Sequence, residues 1–459
     1  MTRAPLSLPF DLGDQRLNRR AQTIVTAALD HPGAPIPEAA GSQAATQATY
    51  KFYDNPLVHS EDLDDAHTRY TLAAIARSHG TLLVVQDTTT ADFTSPARLA
   101  RLGQLSHAQH CGFFLHSGLA VTAEGLPLGV LHQQVWMRPP ETRGKRKQRR
   151  HKETADKESQ RWLDTEQACV ACLPADRPVV TLSDREADFY DYFALPRRPG
   201  QDVLVRAKPK RRVAEEPGLL GAAVRTQPVA GHLAITVPRK DGRPGRQATL
   251  AVRFGTFHLL PPSTHLRRKE LPPLTVQVVL VEERDPPAGV EPVCWLLLTT
   301  LPVPDLDAAT QVVRWYTYRW RIERYHYTLK SGCKLEELQL ATAERLRRAL
   351  ALYALVAARL LHLTYLARQE PWGSCEQVLS REEWEVLWRH FRPEQPLPAQ
   401  APSLAEAVHW LARLGGFLGR KGDGHPGVKV LWRGLRTLHA MVLGYRAARH
   451  EEATVQSSD

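Results

Sequence analysis

The segment Pro178–Leu195, PVVTLSDREADFYDYFAL, decides the fold. A short apolar run of β-forming residues ends on a carboxylate, Asp184, and helical sequence follows at once. The same arrangement occurs upstream, where TLLVVQD (81–87) ends on Asp87 and three threonines follow. Between the two, GFFLHSGLAVTAEGLPLGVLHQQVW (112–136) predicts two strands joined by a turn at Glu124-Gly125. A helix is expected over DKESQRWLDTEQACVACL (156–173), and DVLVRAK (202–208) reads as a further strand.

The order is thus three strands, helix, strand, helix, strand. It predicts an α/β fold with a mixed sheet, containing a hairpin and flanked by helices on both faces, which is the RNase H-like layout. Residues 213–290 are rich in Pro, Gly and alternating β-type residues, so an inserted β subdomain is expected there. Strand character returns at CWLLLTTLP (294–302), a long helix follows, and helices run on to the end. They are broken by RPEQPLPAQAPS (392–403), a linker candidate. At the other end, DLGDQRLNRRAQTIVTAAL (11–29) sets Arg16, Arg19 and Arg20 among apolar residues at helical spacing, and GSQAATQATYKFYDNP (41–56) has Ser42 as N-cap. The expected domains are a helical N-terminal unit (1–62), a catalytic core (63–369) and a C-terminal helical unit (370–459).

The chain has 459 residues, with 60 Lys and Arg against 49 acids, a formal charge of +11. An excess of this size suits a polyanion, nucleic acid first, or simply a basic globular protein. No apolar run is long enough to suggest a membrane partner, and the first residues lack the apolar region of a secretion signal. A cytoplasmic setting is expected. Six cysteines in so long a chain make no disulfide scaffold, and Cys169-x-x-Cys172 has no second ligand pair nearby.

Three carboxylates invite a chemical reading. Asp87 and Asp184 close strands, and strand ends in a mixed sheet are where sites are built. Glu323 lies on the helix of YTYRWRIERYHYTLK (316–330). Acids at one point repel unless a cation neutralises them, and hard oxygen ligands suit Mg²⁺, with Mn²⁺ able to substitute. Two such ions can clamp the attacking and leaving oxygens of a phosphodiester displacement. Each acid also has an ordinary reading: Asp87 as a turn residue, Asp184 as a helix cap, Glu323 as an ion-pair partner. The helix tips the balance. At roughly 100° per residue, Tyr316, Arg319, Glu323 and Lys330 fall within about 60° of one another. Such a face offers a carboxylate to a metal and cations and a phenol to phosphate oxygens.

The spacing Tyr316-x-x-Arg319-x-x-x-Glu323-x-x-x-x-x-x-Lys330 resembles the YREK signature of hairpin-forming bacterial insertion-sequence transposases, cut-and-paste DDE enzymes. QDTT (86–89) and DREAD (184–188) resemble that family's two aspartate motifs, and GVLHQQVWMRP, DKESQRWL, VRAK, WLLLTTLPV and ARLGGF extend the match. The resemblance implies that Asp87, Asp184 and Glu323 hold two divalent ions. It implies that Tyr316, Arg319 and Lys330 grip phosphates beside the scissile bond, that Arg206 and Lys208 line the same channel, and that Trp295 stacks on a base flipped out during hairpin formation. Double-stranded DNA, both transposon ends and target, and a second subunit are the implied partners, in a bacterial, nucleoid-associated setting. The N-terminal helices would read the DNA end, and EAVHWLARLGGFLGR (406–420), with Gly415 and Gly416, would lie at the subunit seam. The basic run Arg143–Lys152 falls outside the family pattern. Two other readings stay open: a nuclease without strand transfer, and an inactive DNA-binding derivative.

Overall fold

The computed structural model describes residues 8–94, 102–105, 109–138, 153–237, 245–263, 265–420 and 422–456. The basic run 143–152 lies outside them. The chain opens with helices α1 (Gln15–Asp30), α2 (Ile36–Ala40), α3 (Gln43–Asp54) and α4 (Ser60–Ile75). Asp14 caps α1 by accepting the Arg16 N–H, and Ser42 caps α3 by accepting the Ala45 N–H, as its sequence predicts. One face of α1 buries Ile24, Val25 and Leu29, while Arg16 and Arg19 stand exposed. A boundary at residue 62 would cut α4. This helix packs on the sheet instead, with the Thr68 and Thr71 hydroxyls donating to the Leu131 and Val130 carbonyls.

Strands β1 (Leu82–Asp92), β2 (Gly112–Thr122) and β3 (Pro127–Trp136) form an antiparallel meander. The β2–β3 turn lies where the sequence places it, and Gly125 supplies its positive φ of 91°. Then come α5 (Gln160–Ala171), β4 (Val179–Ser183), α6 (Tyr190–Ala194) and β5 (Gln201–Arg206). Strand β4 pairs parallel with both β1 and β5. It is buried throughout, as befits a parallel strand covered on both faces.

The insertion contains α7 (Leu220–Ala223), β6 (Gly231–Val237), β7 (Arg246–Leu259) and β8 (Leu274–Glu283), and β9 (Cys294–Thr299) follows it. These strands do not stand apart as a subdomain. They continue the central sheet through an antiparallel β5–β9 pairing, giving one nine-stranded sheet ordered β3-β2-β1-β4-β5-β9-β8-β7-β6. Strand β9 offers apolar residues to both faces, so it can join the two halves.

Helices α8 (Leu306–Thr317), α9 (Trp320–Tyr327), α10 (Ala343–Gln369), α11 (Arg381–Phe391), α12 (Leu404–Leu414) and α13 (Val428–Gln456) complete the chain. Helix α10 is apolar and long enough to cross a membrane, yet 89% of its most apolar window is buried inside the protein. It is the core helix against which β3, α4 and α13 pack. The residues around 392–403 form no helix. Gly415 makes a close contact within the chain. A Cβ there would strike the Val430 carbonyl of α13, and one on Gly434 would strike the Leu411 carbonyl of α12. The two glycines let α12 and α13 of one chain cross at backbone contact.

Candidate active site

Asp87 does not end its strand. It sits in the middle of β1, and β4 stops pairing with β1 at Val85. From there β1 runs on as the free arm of the β1–β2 hairpin, with Asp87 opposite Ser117. The threonines after it are strand, not turn, because β-branched side chains suit a pleated, half-buried surface. Asp184 is the first residue beyond β4, so the two acids stand on neighbouring strands at the point where the sheet splits. Asp184 is also the cap it could have been from sequence: its Oδ1 accepts the Glu186 N–H at 2.7 Å.

The helix carrying Glu323 is broken. Helix α8 ends at Thr317, α9 starts at Trp320, and the Tyr318 and Arg319 amides bond three residues back rather than four. After α9 comes a π-helical turn, Thr328–Gly332, which holds Lys330. A straight-helix stripe of Tyr316, Arg319, Glu323 and Lys330 therefore does not survive. The Lys330 ammonium pairs instead with Glu336 at 3.1 Å, and the same Glu336 oxygen accepts the Asp92 N–H at 2.9 Å.

Arg319 is the hub. Its guanidinium is 8% exposed, donates to the Glu323 carboxylate at 2.6 Å, stands 3.8 Å from the Asp87 carboxylate, and lies over the Trp320 ring. Asp184 and Glu323 stand near enough to Asp87 to raise its pKa, but in this structure the three carboxylates do not converge on one point. Among the described residues no three His, Cys, Asp or Glu side chains form a metal-holding group. Arg319 supplies the positive charge that Asp87 and Glu323 share.

The site is strongly polarised. Burial pushes Asp87 up to about 7, the charge of Asp184 adds to this, and Glu323 does so more weakly; Arg319 and the Thr88 N–H pull the other way. A buried acid at neutral pH beside two others favours a cation, so the donor set fits a hard divalent ion once Arg319 releases Glu323. Tyr316 is fully buried, with the Arg319 guanidinium beside it. Burial raises its pKa, while Arg319 and Arg206 lower it. Trp295 is half-buried, with its ring 5.7 Å from those of both Tyr316 and Trp320. Arg206 donates to the Cys294 carbonyl at 3.2 Å, while its Nε has no partner among the described residues. Lys208 is turned to Asp188, whose carboxylate takes its N–H at 2.7 Å and whose carbonyl takes its ammonium at 3.0 Å.

The structure thus groups Asp87, Asp184, Glu323, Tyr316, Arg319, Arg206 and Trp295, and gives Lys330 and Lys208 other acceptors. Sequence reasoning missed Arg161. Its guanidinium donates to the Thr88 hydroxyl at 2.9 Å and to Glu186 at 2.6 Å, tying the QDTT motif to DREAD. It also missed Asp188, the last letter of DREAD, which is fully buried and lies 3.5 Å from Arg211. The signal for Asp188 was its place in the motif; Arg161 had only its helix.

Comparison with protein families agrees with this layout. Residues 132–359 match the transposase DDE domain, 8–58 a transposase DNA-binding domain, and 355–455 the transposase Tn5 dimerisation domain. The chain belongs to the DDE transposases. DNA and a second copy of itself are therefore its partners. The DDE match takes in Asp184 and Glu323 and begins after Asp87, so the case for Asp87 is geometric. The transposase buries Cys169 as a free thiol whose pKa burial raises, so the C-x-x-C pair is part of the packing.

Proposed function

We propose that this transposase performs cut-and-paste transposition by phosphodiester hydrolysis at transposon ends, hairpin formation, hairpin opening and strand transfer. The observation that carries the proposal is the pair of acids at the split of β1 from β4, answered by Arg319 and Glu323. In this reading Asp87, Asp184 and Glu323 hold two Mg²⁺ ions, with Mn²⁺ able to replace them. Such ions would lower the pKa of the attacking water and neutralise charge building on the phosphate.

The chain's own groups do the rest. With Glu323 among the residues that would hold the ions, Arg319 would be free to take a phosphate oxygen, and its planar fork suits that acceptor. The Tyr316 hydroxyl beside Arg319 and the Arg206 Nε would be donors to the same phosphates once these side chains are exposed to the DNA. Lys330 and Lys208 would join by exchanging Glu336 and the Asp188 carbonyl for DNA. Trp295 presents a half-exposed indole backed by Tyr316 and Trp320, a rigid π-face for an extruded base. All four reactions are in-line displacements at phosphorus, so one site serves them in turn. The setting would be the bacterial cytoplasm, at the nucleoid.

The inverted repeats that would bracket the coding sequence supply the test substrate. A pre-cleaved end incubated with transposase, Mg²⁺ and plasmid should give joined product. Glu323→Gln should abolish joining while leaving end binding intact. Full strand transfer by Glu323→Gln would overturn the site, and nicked plasmid without joining would make the protein a nuclease.

A further inference from the structure

A second cleft opens on the other side of β1 from Glu323. Its volume is about 640 Å³, and Thr88, Phe114, Trp136, Arg138, Lys157 and Arg161 line it together with Glu158 and Glu186. The strand pleat places it there. Side chains alternate along β1, so Asp87 faces α9, while Thr88 and Thr90 face α5 with their cross-strand partners His116 and Phe114. Phe114 in turn pairs with Trp136 of β3. The cleft therefore begins one residue from Asp87 and two residues from Asp184.

Its chemistry is that of a single-strand groove. The Phe114 and Trp136 rings stack at 5.4 Å with only 20° between their planes. The Arg138 guanidinium covers Phe114 at 4.0 Å, and Arg161 lies 5.8 Å from the Trp136 ring. Three cations face two acids. Arg138 is engaged by Glu158 at 2.5 Å and Arg161 by Glu186 at 2.6 Å. The Glu186 side chain is 64% exposed, so it can return to water when a phosphate replaces it. Among the described residues the Lys157 ammonium has no ion pair. The Trp136 Nε1 behind the cleft wall is buried and has no hydrogen-bond partner among the described residues. Aromatic rings beside cations are how proteins hold unpaired bases and their backbone.

We propose that this cleft binds a single DNA strand, the strand led over β1 away from the reacting phosphate. Trp136 offers a base-stacking face, and Arg138, Arg161 and Lys157 hold the backbone. The proposal rests on the transposase reading for its substrate class, but its test does not need catalysis. The full chain, in EDTA, is titrated with fluorescent short oligo(dT) and with a duplex of equal length. Trp136→Leu should weaken oligo(dT) binding about tenfold and leave duplex binding unchanged. Lys157→Glu should weaken oligo(dT) binding several-fold and flatten its salt dependence. Oligonucleotide carrying 5-iododeoxyuridine should crosslink to the wild-type peptide that contains Trp136. If Trp136→Leu does not fold, Lys157→Glu and the wild-type crosslink decide. Wild-type oligo(dT) affinity in both variants, or crosslinks confined to Trp295, would overturn the cleft assignment and leave the carboxylate site, judged by Glu323→Gln and strand transfer, untouched.

Discussion

Glu166 and Asp87 are both carboxylates set into the same sheet-and-helix sandwich, each near one arginine, yet their surroundings are opposite. Glu166 on α5 is wholly buried, and every bond is made. Arg197 donates to its two oxygens at 2.8 and 3.1 Å, and the Gln201 amide adds a third bond at 2.9 Å. Asp87 is a fifth exposed, has one backbone N–H, and sees its arginine only across 3.8 Å. One carboxylate is finished and the other is left wanting a cation. A buried ion pair closed by hydrogen bonds holds structure together. A largely buried acid left open beside other acids stores unfavourable electrostatics that a ligand can release.

The contrast is sharpest in activity. With Mg²⁺ and a pre-cleaved end, Asp87→Asn should cut strand transfer by about a thousandfold, a loss of several kcal/mol of transition-state stabilisation. Glu166→Gln should keep most of its activity wherever it stays folded. Equal losses from the two, in assays below the melting point of both, would dissolve the distinction.

Stability should divide them in the reverse sense. Glu166→Gln leaves the Arg197 guanidinium buried without its counter-charge, which costs about 3–5 kcal/mol and should show as a much earlier denaturant midpoint. Asp87→Asn removes a charge that its surroundings disfavour. In metal-free buffer at pH 8 it should stabilise the fold by on the order of 2 kcal/mol. The sign follows from the pKa. Asp87 titrates at about 7 in the folded protein against an ordinary 3.8, so the folded state keeps a proton that the unfolded chain gives up. That contribution is full below the unfolded value and is lost as pH rises towards 7. Asp64, also raised to about 7 by burial, slopes the same way. The test is therefore the difference between wild type and Asp87→Asn: near zero at pH 4 and largest above pH 7. A constant difference across that range would show that Asp87 is ionised in the folded state throughout.

These particulars also show what the sequence could say. Strand–carboxylate–helix syntax at Pro178–Leu195 gave the strand order, because parallel strands buried on both faces read as plain apolar runs. Asp87 was put at a strand end because Thr88, Thr89 and Thr90 interrupt the apolar run, yet the buried strand β2 holds them in register to Asp92. The Tyr-Arg-Glu face was legible as composition. Its break at Tyr318 and Arg319 was not, since no Pro or Gly marks it. The π-turn that carries Lys330 away owes something to distant packing: Gly332 lies under the Trp432 ring of α13, where a Cβ would come within 2.8 Å. Position 432 could not be related to 332 from periodicity. The pairing of Arg319 with Glu323 was legible as an i,i+4 ion pair, but the approach of the same arginine to Asp87 was not, because long-range charge pairing leaves no local pattern.

The smallest predicted effect lies between the two extremes. Arg161 and Glu186 form an ion pair at 2.6 Å in which the arginine is 12% exposed and the glutamate 64%. It is neither closed like Glu166 nor stranded like Asp87. Burial lowers the Arg161 pKa, and Glu186 and Glu158 offset this, so the guanidinium stays charged. Water screens the glutamate, so Glu186→Gln should shift stability by less than about 1 kcal/mol, the range of exposed pairs. Removing Arg161 should do more, because its Nε bond to Thr88 fixes the residue beside Asp87 and its Nη1 bond holds the Glu158 carbonyl at 2.6 Å. Chemical denaturation of Glu186→Gln, Arg161→Gln and the double variant separates the terms. A coupling energy below about 1 kcal/mol, with the larger single loss at Arg161, is expected. A coupling as large as that of Glu166 with Arg197 would place Glu186 among the closed pairs. It would then not be a carboxylate that can give up its arginine to a phosphate.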